Sequence, residues 1–109
     1  MPIIRFEYDP DKVTAEQITR LATDMVTFTQ EVTGMKEVYA WANASQIRIG
    51  IDPVDIFIEM SAHLVPDGDP SKLSKPLVAK IKQWKADHNF AEPINLTFTP
   101  VAWQLEIGI

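Results

Sequence analysis

The chain has 109 residues, 46% of them hydrophobic and 23% charged, with a net charge of −5 and no cysteine. Such a length suits one domain over residues 1–109 with a modest core, and the missing sulfur excludes disulfides, a thiolate nucleophile and a thiolate-bound metal. The acidic balance argues against a nucleic-acid partner, and no apolar run is long enough to span a membrane. Acidic residues also arrive where a secretory signal would need a continuous apolar stretch, so a cytoplasmic protein is expected.

The chain opens MPIIRF. A proline at the first residue of a strand costs no ladder hydrogen bond. It also has a chemical reading, because methionine before a small residue is expected to be removed, leaving Pro2 with a free secondary amine. Ile4, Phe6 and Tyr8 then alternate with Arg5 and Glu7, which predicts a half-buried strand ended by Asp9-Pro10.

The next segment is predicted to be a helix. Thr14 and Gln17 have the spacing of a capping box, Val13 and Ile18 that of a hydrophobic staple, and Ile18, Leu21, Ala22, Met25, Phe28 and Val32 recur at helical intervals until Gly34 supplies a left-handed stop. Three extended runs follow, VYAWANA, QIRIGI and DIFIEMSAHL. The last two are separated by Asp52-Pro53 and are expected to form a hairpin, across which Arg48 and Glu59 either pair or remain two solvated charges.

VPDGDPSK is turn chemistry. A second helix is predicted from there to about Phe90, capped by Ser74, with Pro76 in its first turn and Leu77, Val78, Ile81 and Trp84 along one face. INLTFT and a short terminal WQLEIGI complete a predicted order β-α-β-β-β-α-β-β. Both helices are apolar on one side only, so they are expected to cover one face of a single mixed sheet. The other face, carrying Arg5, Glu7, Arg48 and Glu59, is then either unusually polar or sheltered by other subunits.

Met-Pro heading a first strand, a long capped helix ending in Thr33-Gly34, a strand beginning near Tyr39 and a second strand-helix-strand half together resemble the tautomerase superfamily. The length is similar to that of the macrophage migration inhibitory factor type, in which one chain holds both halves. Within the superfamily the closing LTFTPVAWQLEIGI is most similar to a small bacterial group of uncharacterised function. The resemblance implies an α+β two-layer fold, a mixed sheet with two helices on one face, and a homotrimer.

It also implies a chemistry. An ordinary α-amino group has a pKa of about 7.7–8.0, and an apolar pocket or a nearby cation lowers it toward neutrality. Pro2 so placed takes a proton from carbon beside a carbonyl and returns it elsewhere, isomerising a small carbonyl or enol acid without a cofactor. By the same resemblance Lys36 falls one place from the family's cation, Tyr39 matches an aromatic position, Leu64 and the neighbouring His63 fall at the pocket wall, and Phe98 and Trp103 match aromatic lining residues. Arg5 and Arg20 match none of the arginines that bind dicarboxylates in the family.

Other readings stand beside this one. A trimer of the same fold can serve as a ligand-binding or structural protein without catalysis, and βαββαβ can be read from the same segments as a ferredoxin-like binding module. His63 and His88 are far apart without a ligand spacing, so no metal is expected. The four glycines form no phosphate loop.

Overall fold

The computed structural model describes residues 1–109. Its elements are β1 (Ile3–Tyr8), α1 (Ala15–Thr33), β2 (Tyr39–Ala44), β3 (Val54–Ser61), α2 (Ser71–Asp87) and β4 (Ile94–Val101), with two short 3-10 turns at Ala62–Leu64 and Pro66–Gly68. The strands form one mixed sheet in the order β2-β1-β3-β4. β1 runs parallel to β2, β3 runs parallel to β4, and β1 and β3 meet antiparallel at the centre. Because each βαβ unit keeps its two strands adjacent, this is not the split arrangement of a ferredoxin-like module.

The first helix forms as its sequence dictates. The Thr14 hydroxyl accepts from the Gln17 backbone N–H at 3.1 Å, and the Gln17 side chain accepts from the Thr14 N–H at 2.9 Å. Gly34, at φ 73°, closes the other end by donating to the Gln30 carbonyl at 2.9 Å. Ile18, Leu21 and Met25 turn inward, where with Leu77, Ile81 and Trp84 of α2 they cover Ile4, Phe6, Ile56 and Ile58 of the central strands. Each such side chain, fully buried, contributes about 1.5–3 kcal/mol. Trp84 Nε1 donates to Asp24 Oδ2 at 2.8 Å and Lys80 pairs with Glu31 at 2.7 Å, so α1 and α2 lie antiparallel.

Several expectations are corrected. QIRIGI is not a strand and makes no hairpin with β3. The last β2-to-β1 rung is Ser45 N–H to the Tyr8 carbonyl at 2.8 Å, after which the chain leaves the sheet. Gly50 then takes a positive φ of 71° that no strand accommodates. Arg48 consequently does not meet Glu59, whose register partner is Ile3, but pairs with Asp55 at 2.8 Å. The terminal WQLEIGI also stays outside the sheet, with Gly108 at φ 70°. An alternating run becomes a strand only beside a free edge, and neither run finds one in its own chain.

A further correction is the cap of α2: Pro70 holds the N-cap position, with no side-chain cap hydrogen bond. The helix starts at Ser71, not after Ser74, because the Asp69 carboxylate accepts from the Ser71 N–H at 3.0 Å and from its hydroxyl at 2.7 Å. Pro76 therefore falls inside the helix, where it has no N–H to give the Lys72 carbonyl. The helix also stops at Asp87, short of Phe90, with Asn89 at a positive φ of 50°. DIFIEMSAHL likewise ends as strand at Ser61, its last three residues forming a 3-10 turn.

Two measurements follow. The Thr29 hydroxyl is fully buried in α1 without a hydrogen-bond partner, so Thr29→Val is expected to raise unfolding stability by about 1 kcal/mol in a urea titration; a loss would show that the hydroxyl is satisfied. The two hydrogen bonds from Ser71, helped by Lys72 and Lys75, hold the Asp69 carboxyl below its ordinary range. Its contribution is complete above the unfolded value of about 3.9 and fades as pH falls through the lower folded value. The gap in melting temperature between wild type and Asp69→Ala should hold at neutral pH and close only in acid.

Candidate functional site

Sheet register gathers most of the sequence-derived site residues at one end of the molecule. Ile3 lies beside Tyr39 on one side and Glu59 on the other, so Pro2, the start of β2 and the end of β3 converge. The Pro2 ring is fully buried, and its carbonyl accepts from the Tyr39 N–H at 3.1 Å. Met1 is joined to it, so in this chain the ring nitrogen is an amide without a basic lone pair.

Tyr39 is exposed on the face of the sheet away from the helices, and Leu64 is exposed in the turn after β3. Lys36, in the connection from α1 to β2, is exposed as well; its carbonyl accepts from the Gln30 side chain at 2.8 Å, and its ammonium joins none of the four ion pairs of the chain. His63 is exposed beside Leu64. Phe98 is on the helix face of β4, packed against both the main core and the small Met60, Val65 and Leu73 cluster. Its ring is structural packing behind the Pro2 end. Trp103 lies beyond β4, not within a strand, and its Nε1 donates to the Ser61 hydroxyl at 2.8 Å.

Ser61 is therefore a member of this cluster that sequence reasoning missed. Its signal was position alone, at the end of a strand whose partner Val101 precedes Trp103 by two residues. None of the main clefts of the isolated chain includes Pro2, Lys36, Tyr39, Leu64, Phe98 or Trp103. One cleft, of about 180 Å³, lies at the opposite end between the start of α1 and the end of α2, where His88 stacks on Trp84 at 4.3 Å.

The face away from the helices carries a second polar cluster. Glu7 and Asp55 stand directly opposite each other on β1 and β3. Glu7 is held by Ser45 at 2.8 Å, Asn43 at 3.2 Å and Arg5 at 3.7 Å, and Asp55 by Arg48 at 2.8 Å and Asn95 at 3.3 Å. The Arg5 guanidinium also lies 4.5 Å from the centre of the Phe57 ring. No three acidic or histidine side chains converge in the geometry of a metal site, and no helix is long and apolar enough to cross a membrane.

No protein-family model matches the sequence, and no curated protein matches it. Solved structures do. A macrophage migration inhibitory factor-like protein from Entamoeba histolytica, 18% identical, superposes with a TM-score of 0.66 over 96% of this chain and 95% of its own. A domain of unknown function from Sebaldella termitidis, 13% identical, gives 0.66 over 100% and 98%. A 5-carboxymethyl-2-hydroxymuconate delta-isomerase, 9% identical, gives 0.61 over 99% and 89%. At these identities the likeness concerns architecture. The chain has the tautomerase fold in its macrophage migration inhibitory factor-like form, with both βαβ halves in one polypeptide.

Proposed function

We propose that the protein is a cofactor-independent tautomerase or isomerase of a small keto–enol acid, acting as a cytoplasmic homotrimer with Pro2 as general base once Met1 is removed. The observation that carries this reading is the position of Pro2: its ring is fully buried directly ahead of the central strand β1, and its nitrogen carries Met1. Removal of Met1 would convert that nitrogen into the amine of a buried residue, and burial favours its neutral, proton-accepting form. Similarity of fold to an isomerase adds support.

In this reading Lys36 supplies positive charge for the acid group, Tyr39 and Leu64 border the substrate from their exposed positions, and Trp103 caps it. Phe98 supports the pocket from behind. The exposed alternating segments after β2 and β4 are the subunit contacts, which is why they fail to pair within one chain.

A second reading, a trimer of this fold without catalysis that binds a ligand or serves a structural role, is favoured by one feature. None of the main clefts of the single chain includes Pro2.

The intact mass of the protein from its native host decides whether the base exists, and the proline reading requires loss of Met1. Ketonisation of phenylenolpyruvate, followed optically, then tests the chemistry: Pro2→Ala is expected to slow it by about 100-fold or more. Retained methionine, or equal rates for the two proteins, would leave the second reading.

A further inference from the structure

Ser61 ends the β3 row of Asp55, Phe57 and Glu59, which alternates with the core residues of the strand and so faces away from the helices. Asp55 and Glu59, when ionised, only accept hydrogen bonds and Phe57 makes none, so Ser61 is the donor of that row. The residue is 9% exposed, and its side chain makes a single hydrogen bond, accepted from Trp103 Nε1 at 2.8 Å. Its own proton meets no acceptor within the chain.

The indole decides what that proton can do. A hydroxyl has one proton and two lone pairs, so an N–H arriving at one lone pair turns the proton away from Trp103. The same bond polarises the hydroxyl and strengthens it as a donor. Trp103 is tied to the body of the molecule by this bond alone among its segment: residues 102–109 join no backbone hydrogen bond, and the Gln104 to Glu106 contact at 3.0 Å stays inside the segment. Sheet register then sets the hydroxyl beside Pro2. Ile3 lies opposite Glu59, and two further residues of the same antiparallel register set Pro2 opposite Met60 and Met1 opposite Ser61. Residues so opposed have Cα atoms about 4.5–5.5 Å apart. The Pro2 nitrogen is the atom that carries Met1, so loss of Met1 vacates the place facing Ser61 and leaves amine and hydroxyl on either side of it.

We infer that Ser61 is a catalytic residue of the proposed reaction, its hydroxyl donating to the substrate's carbonyl oxygen as that oxygen becomes an enol or enolate, and that the Trp103 N–H is the group that aims and polarises it. The assignment rests on the tautomerase reading above and narrows its substrate to a 2-oxo acid or the corresponding enol, in which the oxygen-bearing carbon adjoins the carbon that exchanges a proton. When the Pro2 amine takes the proton from C3, the C–H electron pair becomes the C2–C3 double bond and the carbonyl pair moves onto oxygen. That oxygen takes a proton from water and the proline returns its own to water, so the sum is an isomerisation. Ser61 keeps its proton throughout. Its hydrogen bond is worth most when the oxygen carries most charge, which is in the transition state.

Steady-state ketonisation of phenylenolpyruvate by protein lacking Met1 tests this, with the indole N–H signals in a nitrogen-15 NMR spectrum as the check on folding. Ser61→Ala is expected to lower kcat by about 100-fold with a much smaller change in KM, to shift the Trp103 indole signal and to leave that of Trp84 in place. Ser61→Thr, which keeps the hydroxyl, should recover most of the rate. Trp103→Phe keeps a ring and removes the N–H; it should cost less than Ser61→Ala and nothing further when combined with it. Wild type that fails to accelerate ketonisation would overturn the proposed function and this inference with it. An active wild type whose Ser61→Ala variant keeps its kcat would overturn the inference alone. Full additivity of the two substitutions would overturn the part given to Trp103.

Discussion

The antiparallel pairing of β1 with β3 is the constraint on which the rest of the molecule depends. It is the only backbone ladder that joins the two βαβ halves, and it sets Ile4 opposite Ile58 and Phe6 opposite Ile56 on the face that the helices cover. Strand side chains alternate, so a slip of one residue would turn that whole row toward solvent and bring Arg5, Glu7 and Asp55 into the core. The same register brings Glu7 and Asp55 face to face. Like charges at that spacing repel, and the neighbouring Ser45, Asn43, Arg5, Arg48 and Asn95 are what make the arrangement tolerable. It also carries Pro2 to the start of β2 and the end of β3, so packing and candidate chemistry have one origin.

Elements whose folding is settled locally were legible in the sequence. Thr14 and Gln17 cap α1 through contacts three residues apart, Gly34 ends it, and the alternation of Ile4, Phe6 and Tyr8 marks a half-buried strand that the structure reproduces. Runs whose fate depends on a distant edge were not. QIRIGI and WQLEIGI have strand-like alternation, yet a strand is a property of two segments, and the second one is missing in the chain. The helix start was misplaced for a related reason: Asp69, Ser71 and Ser74 all have side chains suited to capping, yet Pro70 takes the N-cap position and the Asp69 carboxylate braces the turn before it by reaching both the N–H and the hydroxyl of Ser71.

The candidate site was legible to a similar depth. The convergence of Pro2, Tyr39 and Leu64 at one end follows from strand order, which the sequence implies once two βαβ halves are recognised. The inward packing of Phe98 and the Ser61–Trp103 bond depend on side-chain contacts across the end of β3 and the segment after β4, and no local pattern announces them. Nor does alternation alone reveal that Arg48 faces inward. That depends on Asp55, seven residues away and on another element, offering a better partner than water.

In the proposed function the burial of Pro2 makes its nitrogen, once Met1 is removed, a base near neutral pH. The direct test is a nitrogen-15 NMR titration of Pro2 in protein lacking Met1. The account predicts a midpoint clearly below the range of about 7.7–8.0 of an ordinary α-amino group. A midpoint within or above that range would contradict it.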